Sequence, residues 1–303
     1  MQVLSADDVR RLVPMRAAID AVRDAFRELA AGNFVLPPRQ IFGDGAVLVM
    51  SAYHTPTGTA VVKKIGIDLD TVPAIRATVI WTGGGDQLVA DGTSITTLRT
   101  GAVVGVATDL LAPADASRLT LVGTGAQAPD QVRAVLAVRP IADVTIVGRS
   151  ADRATALARQ LSAEFPEVRF TPSSTLGDPH IVCCATSTTT PLFDADELPS
   201  QVHVNAIGAF RPSMRELPRN LFIGSTVVVD QREAALEESG EVIDAIDSGT
   251  LRVEDLIELG PALSEPPVRT GRTVFKSVGI GPQDWAIAAA LARAQVQRST
   301  PLR

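Results

Sequence analysis

Residues 119–128 read LTLVGTGAQA, and the fold turns on this stretch. A short apolar run ends in Gly123-Thr124-Gly125-Ala126-Gln127-Ala128, a G-x-G-x-x-A pattern, and a helical pattern follows through Val138. In a strand–turn–helix of this kind the first glycine makes the tight turn. The second lets the backbone approach a pyrophosphate, and the small third position lets helix and strand pack closely. The phosphates then rest on the helix N-terminus. A glycine pattern alone is weak; the strand before it, the helix after it and a second strand at the right distance make it a dinucleotide-binding turn.

Working outward, the downstream half alternates strand and helix. VTIVG (144–148) precedes a helix from Asp152 to about Phe165, and HIVCCAT (180–186), VHVNAIG (202–208) and STVVVD (225–230) are short apolar runs. TVFKSVG (273–279) reads as a last strand, and a helix from Gln283 to about Gln297 closes the chain. Near-continuous apolar strands joined by helices predict a doubly wound parallel sheet of the Rossmann type over residues 114–284. Cys183 and Cys184 are adjacent on one such strand, so their side chains point to opposite faces, and two small core residues are expected there in preference to a disulfide or redox pair. His54, His180 and His203 are far apart and give no metal-ligand spacing, so no metal is expected.

Upstream, residues 1–113 are mixed. A helix opens at Pro14 with Ala18, Ile19, Val22, Ala25, Phe26 and Leu29 on one face, and Gly32 stops it. The runs 46–50, 59–67, 77–81 and 87–90 are β-prone and separated by TPTG and TGGGD turns, before a long helix from about Thr93 to Leu111. The expectation is a smaller α+β domain beside the Rossmann-type one.

The end of the second Rossmann strand usually carries an acidic residue for a ribose 2′-hydroxyl. Here it reads Gly148-Arg149-Ser150, with Arg153 one turn on. A guanidinium fork and a hydroxyl suit a 2′-phosphate, so NADP(H) is favoured over NAD(H), which stays possible if Arg149 is merely a solvated strand-end residue.

Across 303 residues the balance is 28 basic against 34 acidic, a net charge of −6, with 46% hydrophobic residues. That balance argues against nucleic acid or an anionic membrane surface as partner. No uncharged apolar run approaches the roughly 18–20 residues that span a bilayer. The first residues, MQVLSADDVRR, do not read as a signal peptide, and a cytoplasmic protein is expected.

The chain resembles the ornithine cyclodeaminase/mu-crystallin family over nearly its whole length. The segments that carry the resemblance are DGTSITTLRTGAVVGVA (91–107), LTLVGTGAQA (119–128), HVNAIGAFRPSMREL (203–217), VVVDQREAALEESGEV (227–242) and FKSVGIGPQDWA (275–286). It implies a homodimer in which the N-terminal domain, with the last helix (about 285–303) returning to it, supplies substrate contacts and the interface. It further implies an amino-acid-like or imino-acid substrate. By motif Arg39 matches the family's carboxylate-binding arginine, Lys63 its catalytic lysine, and Arg99 an arginine between substrate and cofactor. Lys63 also alternates in phase with Val61, Ile65 and Ile67, so it faces inward, where a lysine is costly without a partner; Lys64 can be an ordinary solvated residue. The resemblance adds Thr186, Ile207, Glu238 and Ser277 on the cofactor side.

Two departures matter. Cyclodeaminases and alanine dehydrogenases of the family carry a catalytic aspartate where NAIGAFRP has Phe210, and a phenyl ring cannot exchange protons. The mu-crystallin-like branch also lacks that aspartate and is associated with NADPH-dependent reduction of cyclic ketimines. The stretch from Lys63 to Trp81 is shorter than the family norm and lacks its asparagine-containing loop, which leaves substrate size open. The reading that results is an NADP(H)-dependent reductase of a small cyclic 2-imino acid. The alternatives are an NAD-dependent ornithine cyclodeaminase or amino-acid dehydrogenase, and a non-catalytic carrier that retains NADPH.

Overall fold

The computed structural model describes residues 1–68, 75–269 and 271–299, with side chains to residue 296. The shortened connection noted above includes residues 69–74, which lie outside the described residues. The chain divides into two compact units, residues 1–103 with 280–303, and residues 104–279. The division falls inside the long helix, not after it at residue 113, because that helix runs without a break.

The first unit begins with β1 (Gln2–Leu4), α1 (Ala6–Leu12) and α2 (Met15–Ala30). Ser5 caps α1 and exchanges hydrogen bonds with Asp8 in a capping box, a start signal that the reading of the sequence missed. Then come β2 (Phe34–Val35), β3 (Gln40–Phe42), β4 (Val47–His54), β5 (Thr59–Ile67), β6 (Ile75–Gly83) and β7 (Asp86–Asp91). They form one sheet in the order β1-β7-β6-β5-β4-β2, with β3 also on β4; only β1 and β7 run parallel. Register opposes Lys63 to Met50 on one side and Val79 on the other, so the three share the inner face with Val61 and Ala90. The inner face packs on the last helix of the chain, which also lies along α2. Next comes α3 (Gly92–Leu111), whose end passes into the second unit.

The second unit is built on β8 (Arg118–Val122), α4 (Ala128–Leu136), β9 (Asp143–Val147), α5 (Ala151–Glu164), β10 (Arg169–Ser173), β11 (Ile181–Cys184), β12 (His203–Ala206) and β13 (Thr226–Val229). It is completed by α6 (Arg232–Glu238), α7 (Gly240–Asp247), β14 (Ile257–Glu258), α8 (Leu259–Ala262) and β15 (Thr273–Lys276). The final helix, α9 (Gly281–Ser299), belongs to the first unit. The order β10-β9-β8-β11-β12-β15-β13-β14 is parallel at every pairing, a doubly wound sheet with its order reversing beside β8. A ligand in such a sheet binds at the carboxyl ends of the strands near that reversal. One apolar cluster lies on each face, and Cys183 belongs to one while Cys184 belongs to the other. Both thiols are free and buried, and burial holds each above the usual thiol range. Strand β10 was not foreseen; it is an exposed edge strand containing Pro172, with no apolar run to announce it.

Candidate active site

The first unit buries a cluster of opposite charges. Lys63 is 1% exposed, and its Nζ donates to Asp284 at 2.8 Å (Oδ1) with the second oxygen at 2.7 Å; Thr96 Oγ1 lies at 3.5 Å. Lys64, one residue on, is exposed, as strand alternation demands. Arg99 reaches the same centre from α3: Nη1 donates to Gln283 Oε1 at 2.5 Å, and Nε lies 3.5 Å from Asp284 Oδ1. Burial pulls Lys63 down from the ordinary lysine value to about 8, against the attraction of Asp284; the positive charges of Arg99 and Arg39 push it the same way as burial. Arg39, itself half-buried on the segment between β2 and β3, is close enough for its charge to be felt at Lys63. Lys63 and Arg99 thus meet at Asp284, and the charge of Arg39 acts on Lys63. With Asp284 they make three cations and one carboxylate, an excess of positive charge that an anionic ligand offsets.

Asp284 and Gln283 were not singled out from sequence. Their places depend on the first turn of α9. A side chain at Gly281 would meet Ala52 Cβ and Ser51 O, each at 2.9 Å, so only glycine lets α9 approach β4 this closely. Trp285 then locks the turn: its ring packs 4.5 Å from His54 and edge-on to Phe34, and Nε1 donates to Thr59 Oγ1 at 2.8 Å.

The second unit carries the nucleotide turn. Gly123 has φ of +117°, and a Cβ there would strike Ala185 O at 2.5 Å, so the turn requires glycine. Thr124 is half-buried, and its Cγ2 would be 2.8 Å from a Cβ on Gly148, which brings the turns after β8 and β9 together. Gly125 and Ala126 are exposed, and nothing lies within 4 Å of a Cβ placed on Gly125. That open cradle at the start of α4 fits a pyrophosphate. Gln127 Oε1 is buried with no hydrogen-bond partner among the described residues. Arg149, just after β9, and Arg153, on the first turn of α5, are exposed. Ser150 caps α5, its Oγ accepting from Arg153 N at 3.3 Å, which leaves its own hydrogen free to donate.

The other cofactor-side candidates follow strand ends of the same sheet, and two buried carboxylates hold their loops. Glu216 accepts from Thr186 N (2.6 Å), Thr186 Oγ1 (2.9 Å), Gly208 N (2.7 Å) and Ala209 N (3.3 Å), so it joins the segments after β11 and β12 and flanks Ile207. Asp230 accepts from Ser277 Oγ (2.7 Å), Val278 N (3.0 Å) and Gly279 N (2.8 Å), joining the ends of β13 and β15. Burial raises both carboxyls, and Lys276 pulls Glu216 back. Lys276 itself pairs with Glu241 at 2.7 Å and donates to Ala209 O at 2.6 Å. The remaining candidate, Glu238, is half-buried on the last turn of α6. Arg99, also assigned to the cofactor by resemblance, stands in the first unit against Gln283 and Asp284.

A parallel sheet with a glycine turn at its order reversal, joined in one chain to a buried lysine–carboxylate centre, defines a nicotinamide-dependent oxidoreductase. The profile of the ornithine cyclodeaminase/mu-crystallin family matches residues 1–298, and the chain belongs to that family. It is 33% identical over 320 aligned residues to a Delta(1)-pyrroline-2-carboxylate reductase of Bacillus cereus, covering 98% of each chain. Among solved structures it is similar to the Delta(1)-pyrroline-2-carboxylate reductase of Thermococcus litoralis in complex with NADH and L-proline (TM-score 0.91, 25% identity, 100% of both chains). It is also similar to an archaeal alanine dehydrogenase dimer with bound NAD (TM-score 0.89, 25% identity, 100% of this chain and 98% of that one). Among the described residues no helix is long and apolar enough to cross a membrane.

Proposed function

We propose that the protein reduces a small cyclic 2-imino acid, of the pyrroline-2-carboxylate kind, at C2. The observation that carries this reading is the buried ammonium of Lys63, set between Asp284 and the charges of Arg99 and Arg39. Arg39 and Arg99 bind the substrate carboxylate, for which guanidinium forks are the matching donors. Lys63, lowered to about 8, is an ammonium at neutral pH that gives up its proton readily to the imine nitrogen. Protonation makes C2 electron-poor, and burial of the cluster excludes water that would screen the charges. The nicotinamide cofactor, when bound, supplies the hydride. Gly123, Thr124, Gly125, Ala126 and Gln127 would hold its pyrophosphate, and Gly148, Arg149, Ser150 and Arg153 its adenosine end. Thr186, Ile207, Glu238 and Ser277 would line the remainder.

The preference for NADP(H) rests on Arg149 and Arg153, two exposed cations that flank the Ser150 hydroxyl, with NAD(H) as the second choice. Deamination is disfavoured because Phe210, stacked by the Arg211 guanidinium 5.6 Å from its ring centre, offers no proton carrier. A second copy of the chain is proposed to cover the outer face of the first unit's sheet. There Val3, Val89, Ile80 and Val62 form one row across four strands, and Val3, Ile80 and Val62 are exposed. The free buried thiols suit a reducing, cytoplasmic setting.

The test is cofactor oxidation by the purified protein over cyclic 2-imino acids, with NADPH and NADH in parallel and ornithine as a separate substrate. Turnover of a cyclic imino acid, faster with NADPH, supports the reading. Release of ammonia and proline from ornithine, with no imine reduction, would overturn it.

A further inference from the structure

We propose that Asp284 is the positioning residue of this reaction: it fixes the direction of the Lys63 ammonium and keeps it supplied with its proton, while Gln283 beside it aims Arg99. The inference rests on the reading of Lys63 as the proton donor.

The two neighbours divide the cations unequally: Asp284 lies closest to Lys63, with Arg99 Nε a longer 3.5 Å from its Oδ1, and Gln283 takes Arg99. Asp284 Oδ1 accepts from Lys63 Nζ at 2.8 Å and its Oδ2 lies 2.7 Å from the same nitrogen, so the carboxylate is paired closely with the ammonium, whereas Gln283 takes the Arg99 Nη1 hydrogen at 2.5 Å. The two acceptors are consecutive residues on the first turn of one helix. They turn together because Trp285, the next residue, is pinned by His54, Phe34 and Thr59, and because Gly281 lets the turn sit against β4. A single rigid turn therefore sets the spacing between the proton donor and one carboxylate-binding arginine. The groups facing Lys63 come from several elements: Asp284 from α9, Thr96 and Arg99 from α3, and Arg39 from the segment after β2. Of these only Asp284 is an anion. Burial, Arg99 and Arg39 all work to expel the proton, and Asp284 opposes them. Without it none of the neighbours named here balances the ammonium, which then sheds its proton more readily.

The experiment is the pH dependence of kcat for imine reduction, with NADPH and imino acid saturating, in wild type, Asp284→Asn, Gln283→Ala and Lys63→Met. Wild type is expected to lose activity as Lys63 deprotonates, with a midpoint near the value of about 8. In Asp284→Asn that midpoint moves down by about one pH unit or more, so a deficit of tenfold or greater at pH 8.5 shrinks to a few-fold at pH 6. Gln283→Ala leaves the midpoint in place and raises KM for the imino acid. A purely structural role for Asp284 would lower kcat by one factor at every pH and leave the midpoint unmoved; that result overturns the proposal. Asp284→Glu keeps the charge and is expected to hold the wild-type midpoint with reduced kcat. Should the asparagine variant not fold, a downward shift of a unit in the glutamate variant would overturn the proposal instead. Wild-type kcat in Lys63→Met would sink the reading of Lys63 itself, whereas an inactive Lys63→Met beside an unmoved Asp284→Asn profile would sink only this inference.

Discussion

In the first unit the buried carboxylate of Asp284 faces side-chain cations, whereas in the second unit Glu216 and Asp230 face backbone N–H groups and hydroxyls at strand ends. The difference lies in what each partner can do. A lysine ammonium can surrender its proton, so a carboxylate beside it tunes an equilibrium; a backbone amide cannot, so a carboxylate there only fixes a loop. In the function proposed above, Asp284 serves proton chemistry whereas Glu216 and Asp230 serve shape. Both arrangements need a charged acceptor in a dry interior, where an acceptor left half-satisfied is costly.

The sharpest way to break this comparison is Lys63→Met. It is expected to reduce kcat by about a thousandfold, in line with loss of a proton donor and its electrostatic effect, and to leave NADPH affinity, read by fluorescence titration, nearly unchanged. An equal loss of cofactor affinity would mean that Lys63 serves the nucleotide instead. Next, replacing Arg149 and Arg153 together by glutamine should raise KM for NADPH roughly ten- to a hundredfold, as expected when charge-assisted phosphate contacts are lost, with KM for NADH unmoved. Matched losses for both cofactors would remove the 2′-phosphate assignment.

Glu216→Gln tests the architectural carboxylate. Its amide cannot accept four hydrogen bonds, so stability should fall by about 1–3 kcal/mol in denaturant titration. KM for the cofactor should rise with the loosened loops, while the pH midpoint of kcat stays at its wild-type place. A shifted midpoint would give Glu216 a part in the proton chemistry and erase the distinction drawn above.

A further expected effect concerns acid stability. His203 is fully buried between Thr273 Oγ1 and Asn205 Oδ1, and burial holds it down at about 3. The folded form stays neutral while the unfolded chain takes up a proton as pH falls below about 6.5, so this residue's share of stability is lost at roughly 1.4 kcal/mol per pH unit down toward the folded value. His203→Gln should flatten the decline in denaturation midpoint between pH 6.5 and 4.5; an unchanged slope would place the acid sensitivity elsewhere.

The Rossmann-type unit was legible because its signals are local. Gly123 and Gly125 follow a strand directly, and the apolar runs are short and punctuated, so neighbours in sequence suffice. Lys63 was legible for the same reason, since alternation along one strand puts it opposite Lys64. Asp284 was not, because its partner lies 221 residues away and nothing in GPQDWA distinguishes a buried carboxylate from a helix-start acid. Glu216 was hidden likewise: most of its donors are backbone groups, at Thr186, Gly208 and Ala209, which no side-chain pattern records. The signal that was available and overlooked is Ser5 with Asp8, three residues apart, which announces α1.

The claim on which the account stands is recognition of a carboxylate beside the reducible carbon–nitrogen bond, and comparing kcat/KM for 1-pyrroline-2-carboxylate with that for 1-pyrroline tests it most directly. A site built to pair that group should prefer the acid by roughly a thousandfold or more, because the imine without a carboxylate forgoes the charge-assisted hydrogen bonds from Arg39 and Arg99. Equal values for the two imines would contradict it.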